Sequence, residues 1–594
     1  MQPKLQFSSE AEHIEADVLI IGGGIAGMMA AVGAAHRGAK PLVVTKAAYA
    51  SGSSSMARAG HAIAIGHADP ADNPDEFFVD TMRGGCGIGN PRLVEILCRE
   101  SIDRTLDLDA WGLGFVKLKD GQFDQKKMGF PHRYPRLVTV GRLMGKVLLS
   151  AVANKTQKLG IEPMEHVMLV DLIKQGDRVV GAWGFKYRSG IPVVIHAPAT
   201  VLATGGAPEI HALNDSPPTI TGDGYAMALR AGAELVDMEF IDYQLITAAP
   251  AKMVGYPPHA TGFLNSGGYL VNKDGERFMK RYDADNMERS TRSMINRATA
   301  IEIFEGRGSE NGAVFIDIRH VYDRANEGSC ADVVNAFKKA GVDLKVDLLE
   351  VTSCPHTYLG GVKIDEFGRS TVEGLYAGGE AAGGVHGANR LDGAALIDSY
   401  VFGYRAGSAA ANESKVAVRR EVSKAVWKEQ ASRALESASA GREITVGEWR
   451  RRVQELVVTC LGQVRRADRL AQGLEHLETL KHEADNVTIE GETQRQMFDS
   501  MRRRIETENL IEVATMLGTA ARMREESRGG HFRIDFPETD DDRFLGNFVV
   551  RRDGGALQCS YAPAPERPAA SAVVVPEAGA SELSLRNRPS QAFG

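Results

Sequence analysis

Residues 16–46, ADVLIIGGGIAGMMAAVGAAHRGAKPLVVTK, read as strand, glycine turn, helix and second strand in one run. A short apolar strand, Val18 to Ile21, leads into Gly22, Gly24 and Gly27, then an alanine-rich helix, then a strand ending at Val44. Each glycine has its own task. Gly22 permits the tight turn, Gly24 lets backbone approach a pyrophosphate, and Gly27 lets helix and strand pack closely. The helix start offers unpaired N–H groups and a positive dipole end to phosphates. A G-x-G-x-x-G held in this strand–turn–helix frame predicts a dinucleotide-binding unit. The second strand ends Val44-Thr45-Lys46, without the acidic residue that usually holds the adenosine ribose, so that contact must come from elsewhere.

The strand–glycine pattern returns twice. ATVLATGGAPEI (199–210) places Ala203, Thr204, Gly205 and Gly206 after a strand, and GLYAGGEAA (374–382) places Gly378, Gly379 and Glu380 after another. Either alone would read as a plain turn. Together they predict one dinucleotide domain interrupted by insertions, with a ligand long enough to touch all three clusters. Flavin adenine dinucleotide, FAD, has that length.

Composition sets the outer bounds. At 594 residues the chain exceeds what one core supports and should divide into two to four domains. A net charge of -7 argues against a nucleic-acid binder, which would carry a basic surplus. The six cysteines, Cys86, Cys98, Cys330, Cys354, Cys460 and Cys559, contain no C-x-x-C pair, which argues against a disulfide scaffold, an iron–sulfur cluster or a zinc site in this chain. No metal site is expected. The first twenty residues lack a signal-peptide pattern, and no apolar run reaches the length of a membrane span, so the reading is cytoplasmic.

A substrate site is suggested by SCPHTYLGG (353–361) followed by GLYAGGEAAGGVHGANRLDG (374–393). His356 and Arg390, two groups able to hold a carboxylate, bracket the third glycine cluster. These blocks, with GGYLVNKDGERFMKRY (267–282), STRSMINRA (290–298), HGANRLDGAALID (386–398), ENLIEVA (508–514) and ESRGGHFRIDFPETDD (526–541), stand in family order. The chain resembles the flavoprotein subunit of the succinate dehydrogenase and fumarate reductase superfamily, which also holds L-aspartate oxidase and the adenylylsulfate reductase flavoprotein. The likeness runs over about residues 14 to 545.

The resemblance implies an α/β fold: a Rossmann-like FAD-binding domain at 14–240 and 353–412, an inserted α+β capping domain at 241–352, and a C-terminal helical domain at 413–545. Residues 546–594, whose end is rich in Pro, Ala and Ser, read as a flexible tail. Basic runs such as MRRRIETEN (501–509) carry interleaved Glu and read as a solvated helical face. The flavin-binding positions implied are Gly22, Gly24, Gly27, Lys46, Ser53, Ser54, Ala203, Thr204, Gly205, Asp223, Glu380, Ala395 and Leu396. Where the family attaches flavin covalently, a histidine sits in an S-H-T sequence. SGSSSMARAGHA (51–62) has Ser54 at that position and His61 seven residues away, so FAD should be held noncovalently.

For catalysis the resemblance implies Arg292 as the proton-transferring arginine, and His356 with Arg390 as the clamp on one carboxylate. A guanidinium, with a pKa above about 12, can give up a proton only where a dry site and neighbouring cations lower that value. The other half of the site departs from the family. Gln244, Leu245 and Ile246 stand where H-P-T is expected. Ala260, Thr261 and Leu264 precede Ser266-Gly267-Gly268 where T-E-x-x-R-G-E-G-G is expected. Gln244 and Thr261 are the substrate-binding candidates there, with Asp242, Tyr243 and His259 as replacements for the lost relay. The expected activity is hydride transfer between flavin N5 and a carbon beside a carboxylate, on a small carboxylate substrate other than succinate. Electrons would leave to a separate iron–sulfur subunit. An oxygen-using amino-acid oxidase resembling L-aspartate oxidase and a non-catalytic electron-transfer subunit remain open.

Overall fold

Three of the glycine turns leave neighbouring strands of one parallel sheet. In the order Leu375–Ala377, Ala199–Leu202, Val18–Ile21, Pro41–Thr45 and Met164–Glu165, all five strands run parallel, with Val18 opposite both Ala199 and Pro41. The computed structural model describes residues 5, 7–8, 10–129, 131–141, 143–418, 427–429, 431–432 and 444–565. The strand Val18–Ile21 shows no polar alternation because both its faces are covered. Leu19 and Ile21 enter the core with Met28, Leu202, Ile397 and Val401, whereas Val18 and Ile20 enter another with Ala30, Val43, Val201 and Ala410. Helix Ile25–His36 lies against helix Ala394–Ser414 at very short range. A Cβ on Gly403 or Gly407 would fall 2.4 or 1.9 Å from the carbonyl oxygen of Ala26 or Ala30.

Strand Ile241–Thr247 pairs antiparallel with Leu349–Tyr358, from Ile241 opposite Tyr358 to Thr247 opposite Val351. Val314–Asp317 and Tyr269–Val271 extend them to a four-stranded sheet. This insertion has its own core, including Leu245, Phe263, Leu264, Ile316, Phe337 and Val351. The register slips between Asp242 and Tyr243, a bulge of the kind that re-aims side chains beside functional sites.

Helices Val446–Leu456, Ala467–His482 and Gln494–Met523 follow. The last, of 30 residues, begins at a capping box in which Thr493 and Gln496 satisfy each other's backbone N–H groups. Trp449, Leu470, Leu510 and Val513 share a core with Tyr225, Tyr243 and Tyr358, which fastens the helices onto the flavin unit. The run MRRRIETEN is therefore not a wholly solvated face. Arg503 is exposed, but Arg504 and Glu506 are buried, and Glu506 reaches Lys46 across the interface.

The tail expected from residue 546 begins too early. Gly546–Asp553 and Ala556–Pro563 form a hairpin that joins a sheet with Leu235–Val236 and Gly361–Lys363. Asp553-Gly554-Gly555 makes the turn, with φ of 56° and 89° at the two glycines, and Phe548, Val549 and Val550 are buried. Residues 566–594, the rest of that tail, lie outside the described residues.

Candidate functional site

The carboxyl ends of the three glycine-bearing strands open onto one groove. Gly22, Gly24, Lys46, Ser53, Ser54, Ala203, Thr204, Gly205, Asp223 and Glu380 all line it. Gly22 adopts φ +119°, and a Cβ there would lie 2.1 Å from the Ala203 carbonyl oxygen, so only glycine lets two of the turns meet. A Cβ on Gly24 would meet only the Ser51 carbonyl at 3.7 Å, so its surroundings are open. Helix Ile25–His36 starts there with no side-chain cap and no acidic residue in its first turn, which leaves its N–H groups for an anion. Gly27 stands behind, a Cβ there falling 2.0 Å from the Gly22 oxygen. Ala395 and Leu396 lie in the first turn of helix Ala394–Ser414 and do not line the groove, whereas Ser399, one turn on, does. Thr219, Ile220, Met168 and Leu169 also line it, without a sequence signal to mark them.

At one end of the groove Lys46 Nζ lies 2.7 Å from Asp223 and 2.8 Å from Glu506. Burial opposes charge on both Lys46 and Asp223, yet the pairing outweighs it: the lysine is held above its ordinary range and the aspartate below. At the other end Glu380 Oε1 accepts the Tyr358 N–H at 2.9 Å. Loss of water pushes its carboxyl up to about 7 despite that bond and a second from the Gly206 N–H. His61 is fully buried, with Nε2 3.0 Å from Thr105 Oγ1, and burial drops its pKa to about 3. It does not line the groove; Ser54 does.

Strands Ile241–Thr247 and Leu349–Tyr358 carry the second half of the site beside Glu380. Asp242, whose side chain is fully buried, holds both arginines: Oδ2 accepts Arg292 Nη2 at 2.5 Å and Arg390 Nη2 and Nε at 2.9 and 3.1 Å. Asp392 lies 3.4 Å from Arg292 and 3.9 Å from Arg390. Burial works to lower the pKa of Arg292, but Asp242, Asp392 and Asp215 outweigh it and raise it. The neighbours expected to loosen its proton are thus carboxylates that tighten it. His356 Nδ1 donates to Asp215 Oδ2 at 2.8 Å, and Gln244 Nε2 donates to the same oxygen. Thr261 is exposed on the short helix Ala260–Asn265 and takes no part in this cluster, while Leu264 is buried in the core of the insertion.

The segment after the long helix braces the cluster from behind. Arg524, fully buried, meets Glu239 and Glu526 at 2.7 Å each. Arg465 lies 2.8 Å from the Glu239 carbonyl and contacts His531. The Gly530 N–H donates to Ala388 O at 2.8 Å, two residues before Arg390, and a Cβ at Gly530 would meet the Ile241 carbonyl at 2.0 Å. Backbone this close to both the arginine loop and the strand of Asp242 fixes their separation.

A parallel sheet whose glycine turns share a groove, beside a cation cluster under an inserted sheet, is the architecture of an FAD-dependent oxidoreductase. The FAD binding domain family matches residues 17–396 and the family described as Fumarate reductase flavoprotein C-term matches residues 450–577. The chain is 38% identical to a subunit of the Fumarate reductase (CoM/CoB) of Methanothermobacter marburgensis, covering 89% of this chain and 96% of the relative. It is 32% identical to L-aspartate oxidase of Streptomyces coelicolor, over 91% of this chain and 92% of the relative. The solved structure of Mycobacterium smegmatis Sdh1 in complex with UQ1 superposes with a TM-score of 0.86 at 32% identity, covering 94% of this chain and 96% of that one. The protein belongs to the fumarate reductase and succinate dehydrogenase flavoprotein family, and FAD is its cofactor. Among the described residues no helix is long and apolar enough to cross a membrane.

Proposed function

We propose that this protein reduces or oxidises a carbon–carbon or carbon–nitrogen bond beside a single carboxylate, at a site formed by Arg292, Arg390 and His356. The observation that carries this reading is the meeting of Arg292 and Arg390 on Asp242, with His356 beside Glu380, which lines the flavin groove. FAD, held noncovalently by the three glycine turns, Lys46, Ser53, Ser54 and Asp223, supplies or accepts the hydride. Asp223, not a residue at the end of the second strand, takes the ribose. Arg390 and His356 orient the substrate carboxylate and stabilise charge developing on it. Arg292 handles the substrate proton, and Asp242, 2.5 Å from its Nη2, holds the guanidinium in place. The flavin unit at 14–240 and 353–412, the cap at 241–352 and the helical unit from 413 are the working divisions. Electrons leave through a separate iron–sulfur subunit in the cytoplasm, as the word subunit in the relatives' names fits.

The test is an anaerobic screen of carboxylic acids for bleaching of the oxidised flavin, with reoxidation of photoreduced enzyme by their unsaturated counterparts run in parallel. Rapid flavin redox change with a monocarboxylate, absent in Arg292→Ala, is the expected result. Equal rates in Arg292→Ala would sink the assignment.

A further inference from the structure

The chemistry left unused by that reading is acidic. Asp215 spends one oxygen, Oδ2, on His356 and Gln244. Its other oxygen, Oδ1, is buried without a hydrogen-bond partner among the described residues, in a side chain only 6% exposed. Asp242 repeats the arrangement: Oδ2 is shared between two arginines and Oδ1 is buried and unpartnered. A buried acceptor left unmade costs about 1–3 kcal/mol and more when charged, so each such atom marks a place that a donor completes. The two carboxylates converge. The Cys354 thiol, directly across the strand pair from Gln244, is pushed up first by burial and then by Asp215 and Asp242 together. The residue after Asp215, Ser216, lies 3.4 Å from the groove-lining Ser53, so the chain at Asp215 runs close to the flavin groove.

Charge narrows the ligand. Arg292 and Arg390 bring two positive charges, Asp215, Asp242 and Asp392 three negative ones, and His356 adds a third positive charge only when protonated. A dicarboxylate would place its distal anion against the unpartnered oxygen of a carboxylate, whereas a donor there satisfies that oxygen.

We infer that Asp215, oriented by His356 and Gln244, is a specificity-determining residue that accepts a hydrogen bond from an ammonium or hydroxyl group carried by the substrate opposite its carboxylate. This rests on the proposed carboxylate site and names the chemistry of its far end. Asp215 acts on binding of one substituent and carries no proton in the redox step.

The test uses the holoenzyme and a series that varies one group on one skeleton. Binding of 4-aminobutyrate, 4-hydroxybutyrate, butyrate and succinate is followed by the change each produces in the absorption of oxidised flavin. Reoxidation of photoreduced enzyme is followed with 4-aminocrotonate, 4-hydroxycrotonate, crotonate and fumarate. Affinity should fall in the order amine, hydroxyl, methyl, carboxylate, with about tenfold or more between the amine and methyl members. Asp215→Asn replaces an acceptor edge by an amide that also donates, so the ratio of amine to methyl affinity should drop about tenfold and succinate should gain. Equal affinity of wild-type enzyme for butyrate and 4-aminobutyrate overturns the inference even if Asp215→Asn fails to hold FAD, because the orphan oxygen then takes no donor from the substrate. A ratio unchanged in a folded, flavin-loaded Asp215→Asn overturns it too. If the binding order holds but no crotonate reoxidises the flavin, the donor subsite stands and the proposed reaction fails. If all four turn over alike, the reaction stands and the subsite fails.

Discussion

In the proposed reaction Arg292 sits between two demands: it carries charge toward a substrate and it is already held by Asp242 and Asp392. If its role belongs to the transition state, Arg292→Ala should retain FAD and lose turnover by about a thousandfold or more, with KM little changed. Arg390→Ala should instead raise KM chiefly, because a clamp acts in the ground state as well. Steady-state kinetics on flavin-loaded variants separates the two, and full turnover by Arg292→Ala would end its catalytic assignment. Glu380 yields a prediction with a definite sign. Its folded pKa of about 7 lies above its ordinary 4.5, so the folded apoprotein keeps a proton that the unfolded chain has released between those values. Its contribution is complete below pH 4.5 and is lost as pH rises through 7, by roughly 3 kcal/mol at most and less where groove water screens it. Thermal denaturation of apoprotein between pH 5 and 8 should therefore show falling stability that Glu380→Gln flattens; an identical slope in the variant would exclude Glu380 as its source. Of these residues, Arg292, His356, Arg390 and Glu380 were legible because each stands in a motif block. Asp215 was not, because its significance lies in contacts with residues 29 and 141 positions away, which no local pattern records.

At the scale of elements, the strand–glycine repeats were the readable part, since each turn demands glycine for a local steric reason and announces itself in a short window. The hairpin Gly546–Asp553 and Ala556–Pro563 was misread although Asp-Gly-Gly is a hairpin signal, because the Pro/Ala/Ser-rich run beyond it coloured the whole end of the chain. The buried face of MRRRIETEN was hidden for another reason: Glu506 is matched by Lys46, 460 residues earlier, so its burial is a tertiary fact. A further prediction belongs to the turn and helix at Gly24. A valine there puts two methyl groups into the open space before an uncapped helix start, the place for a pyrophosphate. Gly24→Val should fold, with its far-ultraviolet circular dichroism intact, and carry little FAD. Flavin content near that of the wild type would move the phosphate site elsewhere.

For the molecule as a whole, the flavin groove and the arginine cluster are held together by the C-terminal segment. Gly530 touches the backbone of the Arg390 loop and of the strand bearing Asp242, and Arg524 ties Glu239 to Glu526 behind them. The six cysteines are free, four of them buried, and no group of His, Cys, Asp and Glu among the described residues could hold a metal ion. The acceptor proposed for electrons placed on FAD is a separate iron–sulfur protein, and oxygen is the alternative to be tested against it. The attachment of the flavin bears on the same question, because a cofactor held only by the groove should leave the chain when the groove unfolds. Acid precipitation should release all the yellow colour into the supernatant; colour kept on the pellet would mean a covalent bond. Oxygen must reach the flavin to form peroxide, whereas a partner protein needs only a docking face and an open path for an electron. The two are told apart with substrate-reduced holoprotein: reoxidation by a small artificial acceptor should outrun reoxidation by air by about a hundredfold, with little hydrogen peroxide formed. Rapid reoxidation in air with one peroxide per substrate would instead make the protein an oxidase, and the iron–sulfur partner would drop out of the account.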